Sequence, residues 1–399
     1  MTETMEIVEE KETRVSKNST DDQFLTDPGN HGSDHFKTRM SRFRFATREY
    51  MTRFTNHQSE YLAGLQAKHQ SHFGDVFFPY TALLGSHTFY VLFLPMPVWF
   101  GHYELTRDLV YILGYSIYLS GFLKDYWCLP RPRSPPVKRS TLSDYTAKEY
   151  GAPSSHAANA TGASIYFLYC IWACAPFSLT YKILFTLLTC FYYFSLVVGR
   201  VYCGMHGMLD LTAGIACGVV CVAGRLLLSY VFRDFRSGET WWFPLVSVAV
   251  GLTLLFKHIR PIDECPCFVD SVAFIGVASG YECGDWFLQK FLPMLSCGGY
   301  STDGPIVLLR PFVAVPVIVL WKNVISKPLV YNVFLKVIGF PDDRATVLQK
   351  REQKFNDPVC SLYIGEPKIE IVGRYIIYAG IPIATTVVCP LVLKLVGLA

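Results

Sequence analysis

Long apolar stretches separated by polar ones run along most of the chain. Many approach the roughly 17–25 residues that an α-helix needs to cross a bilayer core of about 30 Å, although several are shorter or contain proline. The pattern predicts an all-α fold, a polytopic membrane helical bundle of about eight to ten spans. The stretches are residues 80–100, 108–123, 157–176, 181–198, 208–232, 241–256, 269–280, 306–320, 328–340 and 375–396.

The composition supports a single membrane domain. The chain is 51% hydrophobic and only 17% charged, and its mean hydropathy is +0.28. Its 399 residues would be enough for two or three soluble domains, but the apolar stretches occupy most of them. The net charge of +4 is small, and no basic stripe with interleaved aromatic residues occurs in a polar region. We therefore expect membrane lipids and not nucleic acid as partners, with the oligomeric state left open.

Two regions precede the membrane domain. Residues 1–33 are polar and acidic at their start, which predicts a disordered tail without a cleavable signal peptide. Residues 34–78 combine arginines with apolar residues at roughly helical spacing, which predicts an amphipathic segment on the membrane surface or packed on the protein itself. Residues 79–399 form the predicted membrane domain, with a catalytic core at about 107–232. The apolar residues of the second region are Phe36, Met40, Phe43, Tyr50, Phe54, Tyr61 and Leu65.

The thirteen cysteines do not predict a metal site. Several lie inside apolar stretches, where cysteine acts as a small apolar residue. Cys265 and Cys267, in "DECPCF", have the only metal-like spacing, and no paired Cys/His set accompanies them. A disulfide from this loop is the better alternative if the loop faces an oxidising lumen, and whether it forms stays open.

The first polar stretch with candidate chemistry is "KDYWCLPRPR". Lys124 and Arg131 place two cations on a short, proline-stiffened segment next to an apolar stretch. The planar guanidinium of arginine matches phosphate oxygens, and lysine adds a point charge. The stretch predicts a site for a multiply charged anion; the alternative is a basic loop that touches lipid headgroups.

The second stretch is "PSSH", at the start of a predicted helix. Ser154 and the backbone N–H groups at a helix N-terminus can hold an oxyanion. His156 lies beside them and can give or take a proton. The alternative is a helix-capping serine and a histidine anchored at the membrane interface.

The third stretch is "GRVYCGMHGMLD". If a helix runs through it, His206 and Asp210 lie on one face, and the carboxylate can hydrogen-bond one ring nitrogen of the histidine. The other nitrogen is then free to act as a nucleophile or base. Arg200 supplies a third cation. The alternative is a chance His–Asp pair.

Topology brings these stretches together. The predicted spans 157–176 and 181–198 separate the second stretch from the third. An even number of crossings returns the chain to the face that it left, so all three stretches open on one side of the membrane. We therefore predict that they converge on one site.

The three stretches together resemble the signature of the type-2 phosphatidic acid phosphatase superfamily. The pattern is Lys-x6-Arg-Pro, Pro-Ser-x-His and Arg-x5-His-x3-Asp, from Lys124 to Asp210. Ser155 stands where that family usually has glycine, and Gly199 where it usually has serine. Longer stretches, among them "YILGYSIYLSGFLKDYWCLPRPRSPP" and "RPIDECPCFVDSVAFIG", resemble the fungal long-chain-base-1-phosphate phosphatases.

The resemblance implies a metal-independent lipid phosphomonoesterase that needs no cofactor and acts in the endoplasmic reticulum on long-chain base 1-phosphates in sphingolipid metabolism. His206, oriented by Asp210, is implied to form a phosphohistidine, and His156 to protonate the leaving alkoxide and then activate water. The implied phosphate-binding residues are Lys124, Arg131, Ser154, Ser155 and Arg200.

Other functions stay open. They are a broader lipid phosphate phosphatase, a transferase of phospho-headgroups, and a non-catalytic protein that binds or transports phospholipid. Selectivity for an amino-lipid does not follow from the sequence. Asp125, Asp144, Glu149 and Asp263 are candidate partners for a substrate ammonium group.

The positive-inside rule and the resemblance to the family predict opposite orientations of the protein in the membrane. The positive-inside rule predicts a cytosolic N-terminus, but the arginines lie before residue 54, distant from the first span at residue 80. The resemblance implies a lumenal catalytic face. We expect a lumenal site and a lumenal N-terminus, since two spans separate the tail from Lys124.

Overall fold

A computed structural model describes residues 27–142, 148–232, 235, 237–263, 265–295, 300–301, 303–355 and 367–399. Residues 1–26 of the predicted tail, together with Asp144, lie outside this part of the chain. The described residues form helices and turns without a β-strand, which confirms the all-α prediction. The described helices are α1 Ser33–Lys37, α2 Arg42–Thr52, α3 Gln58–His69, α4 His72–Gly85, α5 His87–Trp99, α6 Tyr103–Trp127, α7 Ser155–Tyr169, α8 Leu179–Tyr202, α9 Met208–Val231, α10 Trp242–Phe256, α11 Cys267–Phe291, α12 Gly304–Ile338, α13 Arg344–Phe355 and α14 Lys368–Leu395.

The helix that carries Lys124, α6 (Tyr103–Trp127), is central to the bundle and packs against α7, α9 and α11. Helices α7 and α9 approach each other with their backbones in contact. A Cβ atom at Gly214 would clash with the carbonyl oxygen of Ser154, and one at Gly218 with that of Ala158. Because only glycine allows this approach, the starts of α7 and α9 lie side by side. The second and third polar stretches are therefore brought together by close helix packing.

Fewer helices are long and apolar enough to cross a membrane than the sequence pattern predicts. In the part of the chain that the structure describes, 4 helices meet this test of length and composition, α8, α9, α12 and α14, or up to 5 if the bent pair α4–α5 is one span. Helices α6 and α11 have 25 residues each, but buried charged side chains lower their hydropathy. The predicted spans 306–320 and 328–340 form the single helix α12. By this test alone, the described helices give fewer candidate spans than the eight to ten that the sequence pattern predicts.

The predicted span 80–100 is also not a straight helix. Helices α4 and α5 meet at an angle of 56°. Ser86 lies between them in an extended conformation, and its side chain accepts a hydrogen bond from the backbone N–H of Phe89, at 3.2 Å. Ser86 therefore starts a new helix at the bend, a local effect that average hydropathy does not register.

The arginine-rich segment before the bundle forms three short helices, α1 to α3. Arg44 is buried and donates from Nε to the carbonyl of Tyr126, at 2.8 Å, and Arg48 donates to the carbonyl of Gly29, at 3.0 Å. These two arginines pack on the protein itself, whereas Arg42 and Arg53 are exposed. The exposed large side chains of the segment are Phe43, Tyr50, Phe54 and Tyr61.

The ends of α4 and α5 show how the chain reaches the start of α6. The backbone N–H of Ser71 donates to the hydroxyl of Tyr202, at 2.9 Å, so α4 begins at the end of the bundle where α8 finishes. Trp99, at the end of α5, donates to the carbonyl of Thr385 near the opposite end, at 3.4 Å. Helix α6 then returns to Lys124, so α1 to α3 and Lys124 lie at the same end of the bundle.

Candidate active site

The first polar stretch begins at the last turn of α6. The helix ends at Cys128, which has a left-handed conformation with φ 51°, and the chain then turns towards Arg131. Lys124 is only 1% exposed and forms a short ion pair with Glu149. Arg131 donates from Nε to the carbonyl of Glu149, at 2.8 Å, and from Nη1 to the carbonyl of Met205, at 2.7 Å. These bonds fix two buried cations next to one carboxylate.

The second stretch begins α7. The Ser154 hydroxyl accepts a hydrogen bond from the backbone N–H of Ala157, at 3.4 Å, so this side chain caps the helix as the alternative interpretation has it. The backbone N–H of Ser154 donates to the carbonyl of Asp210, at 2.8 Å, which ties the second stretch to the third. Ser155 and His156 both line a cavity. Of the two serines, Ser155 is thus the one that faces open space.

The third stretch places His206 between its two neighbours. Its Nδ1 lies 3.3 Å from Oδ2 of Asp210, and its Nε2 lies 3.1 Å from Nη1 of Arg131. The predicted contact with Asp210 is present, but not on a continuous helix. Gly207 has an extended conformation, with φ −87° and ψ −179°, and α9 begins after it. The carboxylate instead reaches back to the turn before the helix, where it also accepts from the N–H of Gly207, at 2.9 Å.

The surroundings of His206 favour its neutral form. Burial, and then the charges of Arg131, Lys124 and Arg200, hold the pKa of His206 well below its usual value of 6.5. If Nδ1–H donates to Asp210, Nε2 keeps a lone pair that accepts from Arg131. A neutral imidazole in this tautomer has a nitrogen able to attack an electrophile.

A cavity of about 270 Å³ opens beside these groups. Arg200 is buried on its wall, and its Nε has no hydrogen-bond partner among the described residues. Glu149 also lines the cavity and thus lies between the open space and the cations that it holds. The wall combines polar side chains with apolar ones, as a site for an amphipathic molecule requires. The wall residues include Pro79, Leu83, His87, Ile117, Glu149, Ser155, His156, Arg200 and Asp270.

Comparison with known proteins identifies the family. The model of the PAP2 superfamily matches residues 105–236. A dihydrosphingosine 1-phosphate phosphatase of Saccharomyces cerevisiae is 55% identical over 366 residues, which cover 92% of this chain and 91% of the relative. The chain belongs to the PAP2 superfamily. The resemblance predicted from its three polar stretches is confirmed.

Two further relatives of this PAP2 protein carry related names. A dihydrosphingosine 1-phosphate phosphatase of Schizosaccharomyces pombe is 34% identical, with 72% of this chain and 70% of the relative covered. Sphingosine-1-phosphate phosphatase 2 of Mus musculus is 26% identical, with 80% of this chain and 87% of the relative covered. No solved structure matches.

Two groups of side chains in the described part of the PAP2 protein bring metal-binding atoms together. They are His31, His35 and Asp263, and Asp125, Cys265 and Cys267. Neither group contains His156, His206 or Asp210. Cys265 and Cys267 are both buried free cysteines. That catalysis needs no metal stays a prediction.

Most of the acidic residues that the sequence offers as partners for a substrate ammonium group already contact other side chains. Asp125 is buried against the thiol of Cys267, at 3.0 Å, and Asp263 contacts His35, at 2.8 Å. Glu149 holds Lys124. A further carboxylate, Asp270, also lines the cavity. Nothing in the sequence points to it, because no motif surrounds it and it lies within a predicted span.

Proposed function

We propose that this PAP2-superfamily protein hydrolyses long-chain base 1-phosphates, such as dihydrosphingosine, phytosphingosine or sphingosine 1-phosphate, to the free base and inorganic phosphate. The observation that carries the proposal is the convergence of three separate polar stretches. Arg131 contacts His206, His206 contacts Asp210, and Asp210 bonds to Ser154. The names of the relatives that are 55% and 34% identical support the choice of substrate.

The phosphate group binds to the buried cations. Lys124, Arg131 and Arg200 neutralise its oxygens, and Ser155 and the N-terminal end of α7 add hydrogen-bond donors. The phosphate replaces the carboxylate of Glu149, which holds Lys124 in the absence of substrate. Because Gly199 offers no hydroxyl, binding depends mainly on the three cations. Their charge also stabilises the phosphoryl group during transfer.

The two histidines divide the chemistry. Nε2 of His206 attacks phosphorus while Asp210 holds its Nδ1–H, and the bond from phosphorus to the lipid oxygen breaks. His156, which is protonated once the bound phosphate offsets the charges of the nearby cations, gives that proton to the oxygen, which leaves as the alcohol of the free base. His156 then takes a proton from water, which attacks the phosphohistidine and releases phosphate. The chain's own residues supply every group in this sequence, without a metal or cofactor.

A panel of lipid phosphates tests the proposal. Purified protein is incubated with EDTA and with dihydrosphingosine 1-phosphate, phosphatidic acid or lysophosphatidic acid, and released phosphate is measured. We expect turnover in EDTA, highest with the long-chain base phosphate, and its loss in His206→Ala but not in His102→Ala, an exposed histidine outside the site.

Each alternative function predicts another result. Equal turnover of all three lipids would indicate a broad lipid phosphatase. Dependence on a second lipid as acceptor would indicate a transferase. Lipid binding without phosphate release, unaffected by His206→Ala, would indicate a binding or transport protein.

The same proposal places the protein in the endoplasmic reticulum membrane, with a lumenal site. Helices α1 to α3 and Lys124 lie at one end of the bundle, so we expect the tail and the site to share a face. The endoplasmic reticulum and its lumenal side are what the resemblance to the family implies. A lumenal tail is expected to carry a glycan at Asn18, in the sequon Asn18-Ser19-Thr20, and to lose it in Asn18→Gln. Digestion of the tail by protease added outside sealed microsomes would instead place both on the cytosolic side.

A further inference from the structure

The cavity beside His156 has an acidic side chain that the proposed chemistry does not use. Asp270 lies in the first turn of α11 and lines the same cavity as His156, Ser155 and Arg200. Its side chain is 31% exposed, so its carboxylate is open to the cavity. A ligand whose phosphate lies against Arg200 therefore shares the cavity with the negatively charged carboxylate of Asp270.

Asp270 differs from Asp108 and Glu149 because, among the described residues, no arginine or lysine contacts it. Asp108 is paired with Arg225, at 3.0 Å, and Glu149 with Lys124. Among the described residues, the one ion-pair contact of Asp270 is His87, at 3.5 Å. Without direct contact, the charges of Lys124 and Arg374 and the opposing charge of Glu149 also act on it through space. A carboxylate held this loosely can accept a cation from a ligand at low cost.

We propose that Asp270 binds the ammonium group of the substrate. This inference rests on the proposed function, because a long-chain base phosphate has its amine on the carbon next to the one that bears the phosphate ester. With the phosphate at Arg200 and the leaving oxygen at His156, the amine stays close to the phosphate and within the same cavity. The ligand class is a primary ammonium phosphate ester.

The same carboxylate discriminates against phosphate esters that lack an amine. Such a ligand leaves Asp270 negative and unpaired beside its own phosphate, which is a repulsive arrangement. The amino-lipid instead forms a charge-assisted hydrogen bond there. One residue therefore supplies both the attraction and the repulsion on which selectivity depends.

Two substrates that differ in the amine test this role. The ratio of kcat/KM for dihydrosphingosine 1-phosphate to that for octadecyl phosphate, a single-chain ester without an amine, is measured in purified protein. In Asp270→Asn we expect the ratio to fall roughly 10- to 100-fold, the range for losing a hydrogen bond to a charged group. Asp270→Glu keeps the charge and should retain part of the preference.

Matched variants separate this role from others. Asp285→Asn makes the same chemical change further along α11, where Asp285 bonds to Gln289, and should leave the ratio unchanged. Glu149→Gln tests whether the carboxylate displaced by phosphate binds the amine instead; we expect the ratio to stay as in the wild type.

Two results would overturn the inference. One is an unchanged ratio in Asp270→Asn, whether or not both activities fall together, and the other is a fall of the ratio in Glu149→Gln instead. Failure of the proposed function is distinguishable in the wild-type protein, which would then hydrolyse neither ester or, as a broad lipid phosphatase, hydrolyse both equally well.

Discussion

At the scale of single residues, Asp210 has two contacts with different consequences. One carboxylate oxygen accepts from the backbone N–H of Gly207, which stabilises the start of α9, and the same oxygen contacts Nδ1 of His206. The first contact is structural, and the second fixes the tautomer of the histidine. Because both depend on one oxygen, removing the side chain would mix the two effects.

Asp210→Asn separates them. The amide oxygen can still accept from Gly207, so the cap is kept, but the negative charge that supports His206 is lost. We expect kcat to fall roughly 10²- to 10⁴-fold, as when an orienting aspartate is neutralised in a catalytic triad, with little change in thermal stability. Phosphate release and a thermal unfolding curve measure the two effects. Turnover close to that of the wild type would show that the contact with His206 has no role in catalysis.

At the scale of elements, the bend between α4 and α5 positions His156. The last residue of α4, Gly85, packs directly against the imidazole, so that a Cβ atom there would lie 2.6 Å from Cδ2 of His156. No real Cβ contact is this short, so an alanine would push the ring away. The bend is thus part of the site, although it lies outside the three polar stretches.

Gly85→Ala should therefore reduce activity without a change at any charged residue. A displacement of about 1 Å in a reacting group can lower the rate roughly 100-fold, so we expect kcat to fall by at least about tenfold. The control is Gly64→Ala in α3, where a Cβ atom meets nothing within 4 Å. Equal turnover of both variants and the wild type would mean that His156 does not need this packing.

At the scale of the whole molecule, the sequence predicted what depends on composition and local motifs. The all-α class follows from the apolar stretches, and the three motifs contain Lys124, His156 and His206. The convergence of the motifs could be predicted because an even number of crossings needs no knowledge of packing. Hydropathy does not show where individual helices begin and end, since it joins two helices across the bend at Ser86 and divides the continuous helix α12.

What could not be predicted are contacts between distant parts of the chain. The ion pair of Glu149 with Lys124 depends on how two loops fold over the end of α6. Asp270 reaches the cavity only because α11 packs against α6, and nothing in its neighbours along the chain indicates this. Such residues become visible only once the helices are placed.

In the proposed mechanism, the phosphoryl group is transferred from the lipid to His206 before water releases it. Locating this covalent intermediate is the most direct test. His156→Ala is mixed with a labelled phosphate ester that has a good leaving group, because formation of the intermediate then needs no proton while its hydrolysis is slowed. The mixture is quenched in alkali, in which phosphohistidine survives, and the labelled peptide is identified. We expect the label on His206 and none in His156→Ala/His206→Ala. Label on any other residue, or phosphate release by the double variant at the rate of His156→Ala, would contradict this account.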